Sequence, residues 1–187
     1  MEIVAAAAAA LVATLLSTGG AALVLRRSYR RVGPGEALVL YTPREPRVKF
    51  VGALVFPVLH RAETVDLTLK VLRLQRRGED ALATGSGAED KVEVDLVAHL
   101  RVNPVIEDIL KVASRIGCAS SYEPRAVFDL FTPRVEAALA SVIGEVSGDE
   151  LLEKRTEIEE RIAREIGREL DGFVLDRLVL ERVERLR

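Results

Sequence analysis

The sequence predicts an α+β domain behind an N-terminal transmembrane helix, on three features. Ile3 to Leu25 is a run of 23 residues without a charge. Val65 to Leu74 and Val92 to Val102 alternate apolar and polar residues with the period of a strand. From Ile106 the apolar spacing becomes helical, until a β-rich closing segment begins at Phe173. Strands, then helices, then one strand is an α+β order.

At ~1.5 Å per residue the first run would cross the ~30 Å hydrocarbon core of a bilayer as one helix. Ala5 to Ala10 contribute little transfer energy, so Val4, Leu11, Val12, Leu15, Leu16, Leu23, Val24 and Leu25 carry the insertion. The competing readings are a buried core helix and a cleaved secretory signal. A signal needs a basic start and a small-x-small cleavage site, whereas only Glu2 precedes this run. Arg26, Arg27, Arg30 and Arg31, with Tyr29 among them, crowd the exit of the helix as its interfacial flank. The positive-inside rule then gives a single-pass protein of the cell membrane with its domain on the cytoplasmic side. Residues 1–27 form the anchor with its basic flank, and residues 28–187 form the domain.

Composition narrows what that domain does. A net charge of −2 with 30% charged residues leaves no electrostatic footprint for nucleic acid. Tryptophan is absent and aromatics are 4%, so the core is built from Val, Leu, Ile and Ala. Cys118 is the single cysteine, which excludes an internal disulfide and a cysteine-based metal cluster.

In chain order, Val32 to Glu36 is a turn-rich hinge and Ala37 to Tyr41 a first strand closed by Thr42-Pro43. Arg47 to Leu59 reads as a hairpin-like region in which Pro57 argues for an edge or a bulge. Phe50, Leu54, Val55 and Phe56 within it read either as ordinary core or as a second shallow membrane contact. In the next strand Val65, Leu67, Leu69 and Val71 share one face, and Leu72 and Leu74 the other, which predicts a bulge near Val71. Arg76 to Asp90 reads as the tip of a long hairpin whose second strand is Val92 to Val102.

Ile106, Ile109, Leu110 and Ala113 mark a short helix ending at Gly117. Pro124 opens another, and Pro133 predicts a kink or restart at Thr132, before the stripe Val135, Leu139, Val142 and Val146. Ser147-x-x-Glu150 is a capping box that opens a helix from Asp149 to Leu170, with Ile158, Ile162, Ile166 and Leu170 inward beside Leu151 and Leu152. Glu157/Arg161 and Glu160/Arg164 are favourable pairs on its wet face. Asp171-Gly172 ends it, and Phe173 to Val183 is the last strand.

Tyr29 to Ala37 (YRRVGPGEA), the paired strands around Val65 to Leu74 and Lys91 to Pro104, Ser141 to Glu145 (SVIGE), Asp149 to Leu152 (DELL) with Arg155, and Gly172 to Leu175 (GFVL) together resemble the SPFH or band 7 family of stomatin, prohibitin, flotillin and HflK/C. Gly52 to His60 (GALVFPVLH) leans to the flotillin-like branch. The resemblance departs at Ala140, where members commonly carry arginine, and over Arg76 to Asp90. It implies a membrane-tethered scaffold that forms homo-oligomers and organises membrane lipids or proteins into microdomains. It also implies the alternative of a regulatory subunit of a membrane protease. Under the first reading the charged face bearing Glu157, Glu160, Arg161 and Arg164 is the candidate oligomer contact.

Catalytic chemistry has little to stand on. His60 and His99 are the two histidines, and no H-E-x-x-H, P-loop, G-x-S-x-G or G-x-G-x-x-G accompanies them. No catalytic residue, cofactor or metal ligand is expected. An uncharacterised membrane-tethered enzyme is the remaining alternative.

Overall fold

A computed structural model describes residues 20, 26–56, 60–85, 87–167 and 170–186 of the chain, with the side chains of residues 88 and 89 excepted. The uncharged run expected to cross the membrane lies outside the described residues apart from Gly20. Among the described residues no helix is long and apolar enough to cross a membrane. The chain divides into two compact units, Met1–Thr64 and Val65–Arg187.

The first unit is built from short strands: β1 (Tyr29–Arg31), β2 (Glu36–Tyr41), β3 (Arg47–Lys49), β4 (Gly52–Leu54) and the start of β5 (Arg61–Asp66). β2 is the expected first strand, entered by a turn in which Glu36 N–H donates to Gly33 O. Ala37, Leu38, Val39 and Leu40 are buried on both of its faces, and Leu38 and Leu40 form a core with Val55. The loop after it is pinned by Thr42, whose hydroxyl donates to Glu45 O and accepts from Glu45 N–H. The expected hairpin over Arg47 to Leu59 is not one. β3 pairs with β2 and β4 pairs with β1, so the two halves join different sheets.

The second unit is a sheet with helices on one face. β6 (Lys70–Arg76), β7 (Leu82–Thr84), β8 (Gly87–Val102) and β9 (Phe173–Arg185) form it, with β8 pairing to the other three. The parity change expected as a bulge near Val71 is instead a strand break at Leu67–Leu69. Thr68 N–H donates to Asp66 Oδ1 at 2.8 Å, and this side-chain turn ends β5 before β6 starts. Lys70 turns inward there, its ammonium donating to the Asp66 carboxylate, to Thr68 Oγ1 at 2.9 Å and to Thr68 O at 3.2 Å. All three donors of the buried cation are thereby satisfied.

The hairpin of β6 and β8 is as expected, but its tip is not plain loop, for a 3-10 turn at Gly78–Asp80 and β7 lie within it. Val92, Val94, Leu96, Ala98, Leu100 and Val102 are all buried on one face of β8, as their period requires. Leu74, Leu96 and Leu180 stand in cross-strand register, as do Leu72, Ala98 and Leu178, and they continue this face over three strands.

The helices that cover it are α1 (Ile106–Arg115), α2 (Pro124–Ile143), α3 (Gly148–Glu153) and α4 (Arg155–Ile166). α1 faces inward through Ile109 and Val112, leaving Ile106 exposed, so its face is turned from the expected stripe. α2 opens at Pro124 and passes through Pro133 without a restart. Pro133 and Asp129, whose carbonyl loses its partner, lie on the wet side, where water can replace the missing bond. Val127, Phe131, Val135, Leu139 and Val142 face the sheet, and Phe131 meets Phe173 edge-on at 5.2 Å.

Ser147 caps α3 as expected, accepting from Glu150 N–H at 3.2 Å. The single helix expected from Asp149 to Leu170 is two, broken at Lys154 and ended at Ile166. Nothing in the sequence around Lys154 explains the break. Ile158, Ile162 and Ile166 are buried as predicted and Leu170 is buried beyond the helix, whereas Leu152 is exposed. Asp171-Gly172 then turns the chain tightly beneath α1. A Cβ on Gly172, at φ 95°, would stand 2.4 Å from Asp108 O.

Candidate membrane-facing surface

The first unit buries little and exposes much that is apolar. Val55 goes to the core, so of the four residues weighed as core or membrane contact it is core. Phe50, Leu54 and Phe56 are exposed, at 44, 44 and 37%. Tyr29 is 47% exposed, and Val51, which sequence reading passed over, is 81% exposed.

The β1–β4 ladder sorts these side chains. Tyr29 stands opposite Leu54 and Arg31 opposite Gly52, while Ala53 between them turns to the core. Val55 N–H donates to Ser28 O at 2.7 Å and Val32 N–H to Val51 O at 3.3 Å, extending the ladder at both ends. By the two-residue period Phe56 falls on the side of Leu54. A Cβ on Gly52 would stand 2.8 Å from the Tyr29 hydroxyl oxygen, so the glycine leaves room for that ring. One face therefore carries Tyr29, Leu54 and Phe56 beside Arg31, the mixture of aromatic, aliphatic and arginine side chains that suits a bilayer interface.

Charge follows the same division. Residues 26–64 carry eight Lys/Arg against three Glu, a balance of +5, whereas residues 65–187 carry nineteen Lys/Arg against 25 Asp/Glu, a balance of −6. The near-neutral total hides this asymmetry, and counting by segment would have exposed it. Arg26, Arg27, Arg30, Arg31, Arg47 and Lys49 are exposed, and none has a carboxylate partner among the described residues of its unit, where Arg61–Glu63 is the one ion pair. Arg47 and Lys49, on β3, were not foreseen among the exposed cations of this unit.

The chain matches the model of the SPFH domain / Band 7 family over residues 27–184. It belongs to that family. Proteins of the SPFH/band 7 family are in general membrane-associated, non-catalytic scaffolds. No curated protein matches the chain.

In the second unit of this band 7 domain the charged groups are mostly paired with one another. A hydrogen bond from Arg77 holds the Asp95 carboxyl below its usual range, and one from Lys111 does the same for Asp108. His99 is half-buried on the outer face of β8, opposite Val71 and Arg177. Among the described residues no group of three His, Cys, Asp or Glu side chains could hold a metal ion.

Glu157, Glu160, Arg161 and Arg164 all lie exposed on α4, but not as the two expected i,i+4 pairs. Arg161 instead reaches Glu145 beyond the end of α2, and Arg164 Nε donates to the backbone oxygen of Glu160 at 3.4 Å. Arg161 reaches past its helical neighbour because Glu145, outside the helix, is within range. Glu160 and Arg164 border a groove of about 440 Å³ with Ala163, Gly167, Val174 and Leu175, between α4 and β9.

Proposed function

We propose that the protein is a membrane-anchored SPFH scaffold of the flotillin-like branch. It is held by Ile3 to Leu25 with its domain on the cytoplasmic side, and it forms homo-oligomers that organise membrane lipids or proteins. The observation that carries this reading is the cluster Arg26, Arg27, Arg30 and Arg31. These arginines are exposed, have no carboxylate partner among the described residues of their unit, and directly follow the uncharged run. Arginines at the end of such a run stabilise one orientation in the bilayer, because each gains roughly 1 kcal/mol near an anionic leaflet. The groove beside Glu160 and Arg164 offers a second copy a surface on α4 and β9.

Carbonate washing of membranes tests the anchor. The protein should stay in the pellet, and release into the supernatant refutes it. Protease added to intact cells should spare the domain; its digestion reverses the orientation. Crosslinking followed by mass analysis of the detergent-solubilised full chain reads the assembly, and multiples of the chain mass are expected. A protease as the dominant crosslinked species would instead favour the regulatory-subunit reading.

A further inference from the structure

β9 pairs with β8 and, apart from the bridge between Leu170 and Phe173, with no other described residue, so its second edge carries backbone groups with no strand beside them. We propose that this edge, alongside α4, takes up an extended segment of another protein as an added strand. Such a partner differs from the second copy considered above, and the two are separable by experiment.

The backbone of the edge sets the kind of partner. Leu180 N–H points out of the sheet, since it donates to Glu159 Oε1 at 2.8 Å. These groups alternate along a strand, and the register runs without a bulge from Leu180 to Arg177, so Leu178 turns its N–H and C=O to the same side. At Leu180 a helix carboxylate takes the place of a strand carbonyl, whereas at Leu178 no described group does. Unpaired edge groups of this kind are a template for a further strand. Room for one lies alongside, because the groove of about 440 Å³ between α4 and β9 adjoins another of about 180 Å³ that runs on along Leu175 to Leu178. Ala163 and Gly167 form its α4 wall, and neither has a side chain that reaches β9 as Glu159 does.

The rim sets the charge pattern of the occupant. Glu160 and Arg164 are exposed, and neither side chain has a partner of opposite charge among the described residues. Four residues apart on α4, they are separated by about 6 Å along the helix, and alternate residues of a strand by about 7 Å. An incoming strand therefore meets both with residues two apart, one basic and one acidic. Glu159 lies beside Leu180, and Gly167 beside Val174 and Leu175, so α4 runs opposite to β9. A strand antiparallel to β9 runs with α4 and places its basic residue first, at Glu160, and its acidic residue second, at Arg164. Its other side lies with Val174 and Val179 on the outer face of the sheet, where β-branched residues pair across strands.

The probe is the fluorescein-labelled peptide Thr-Val-Lys-Val-Glu-Val-Thr, compared with Thr-Val-Glu-Val-Lys-Val-Thr. Each is titrated with the full chain in detergent and read by anisotropy. The first should bind several-fold tighter. In the double variant Glu160→Arg, Arg164→Glu the order of the two should invert, and the inversion itself shows that the variant is folded. Methylating the backbone nitrogens of the three valines, or those of the lysine and glutamate, in separate peptides should abolish binding in one case and spare it in the other, because an added strand pairs with an edge through alternate residues. Equal binding of the two unmodified peptides to wild type, or binding of neither, overturns the partner described. Binding that survives both methylations overturns strand addition. A crosslinked mass that falls as peptide is added assigns the edge to a second copy and overturns a foreign partner there.

Discussion

Gly172→Ala probes the closest approach in the second unit. Gly172 lies at φ 95°, and its missing Cβ would stand 2.4 Å from Asp108 O and 2.8 Å from Val112 Cγ2. Asp108 O is helix backbone and cannot swing aside, so either the turn or α1 must shift. Overpacking of this kind costs about 1–3 kcal/mol, in addition to about 1–2 kcal/mol for a side chain in the left-handed region. Gly78→Ala isolates the second part, because Gly78 sits at φ 59° with nothing within 4 Å of its would-be Cβ. The two variants should therefore differ by the steric cost alone. At ~2–4 °C per kcal/mol for a chain of this size, Gly172→Ala should melt roughly 2–12 °C below Gly78→Ala. Circular dichroism melts of the purified proteins in one detergent make the comparison. If the two variants melt together, the Asp171-Gly172 turn does not press on α1 and the packing described is wrong.

Ile162→Asp places an unpaired carboxylate in the buried stripe of α4 and should unfold the second unit, seen as loss of its melting transition. Reversing Arg161 and Arg164 to Glu should leave it folded, because the exposed Arg161–Glu145 pair is worth at most about 1 kcal/mol. If α4 is a subunit contact, that double variant should show a smaller crosslinked mass at an unchanged Tm. Burial pushes the Asp66 carboxyl up, but hydrogen bonds from Lys70 and Thr68 outweigh it and hold it below its usual range. Its contribution to stability is thus complete above the unfolded pKa and lost as pH falls through the lowered folded one. Lys70→Met keeps the burial and removes the cation, so the lowering of the Asp66 pKa is lost and the Tm deficit of the variant against wild type should narrow as pH falls through the carboxylate range. The loss at neutral pH should be about 3 kcal/mol, the lower end for breaking a buried pair. Cys118 is buried at 3% exposure, so thiol reagents should label it slowly in the native protein and rapidly in denaturant. Equal rates would contradict its burial.

Strands with one covered face were legible because alternation records burial directly. Val92 to Val102 has one readable side, and β8 buries that side along its length. The isoleucines of α4 and the Ser147 cap were legible for a similar reason, since each depends on neighbours within one or two turns. Val55 could not be told from Leu54 and Phe56 by composition. Only the pairing of β1 with β4, with Val55 N–H bonded to Ser28 O, turns it toward Leu38 and Leu40 and its neighbours outward. Arg47 and Lys49 were overlooked because a chain-wide charge balance averaged away the basic first unit, and Val51 because only the structure shows its exposure.

By itself the sequence determined the uncharged run with its arginine flank, the α+β order, the long β6–β8 hairpin and the family. These rest on periodicity and composition, which are properties of contiguous residues. Tertiary structure alone decided that β3 and β4 part to different sheets, that Pro133 is tolerated, that Lys70 is buried and that Arg161 leaves Glu157 for Glu145. The strand partners and Glu145 lie far off in the chain, and a partner distant in sequence leaves no trace in the local pattern. Lys70 reads as surface until the chain break at Leu67–Leu69 turns the Asp66 carboxylate and both the hydroxyl and the carbonyl of Thr68 to its three protons.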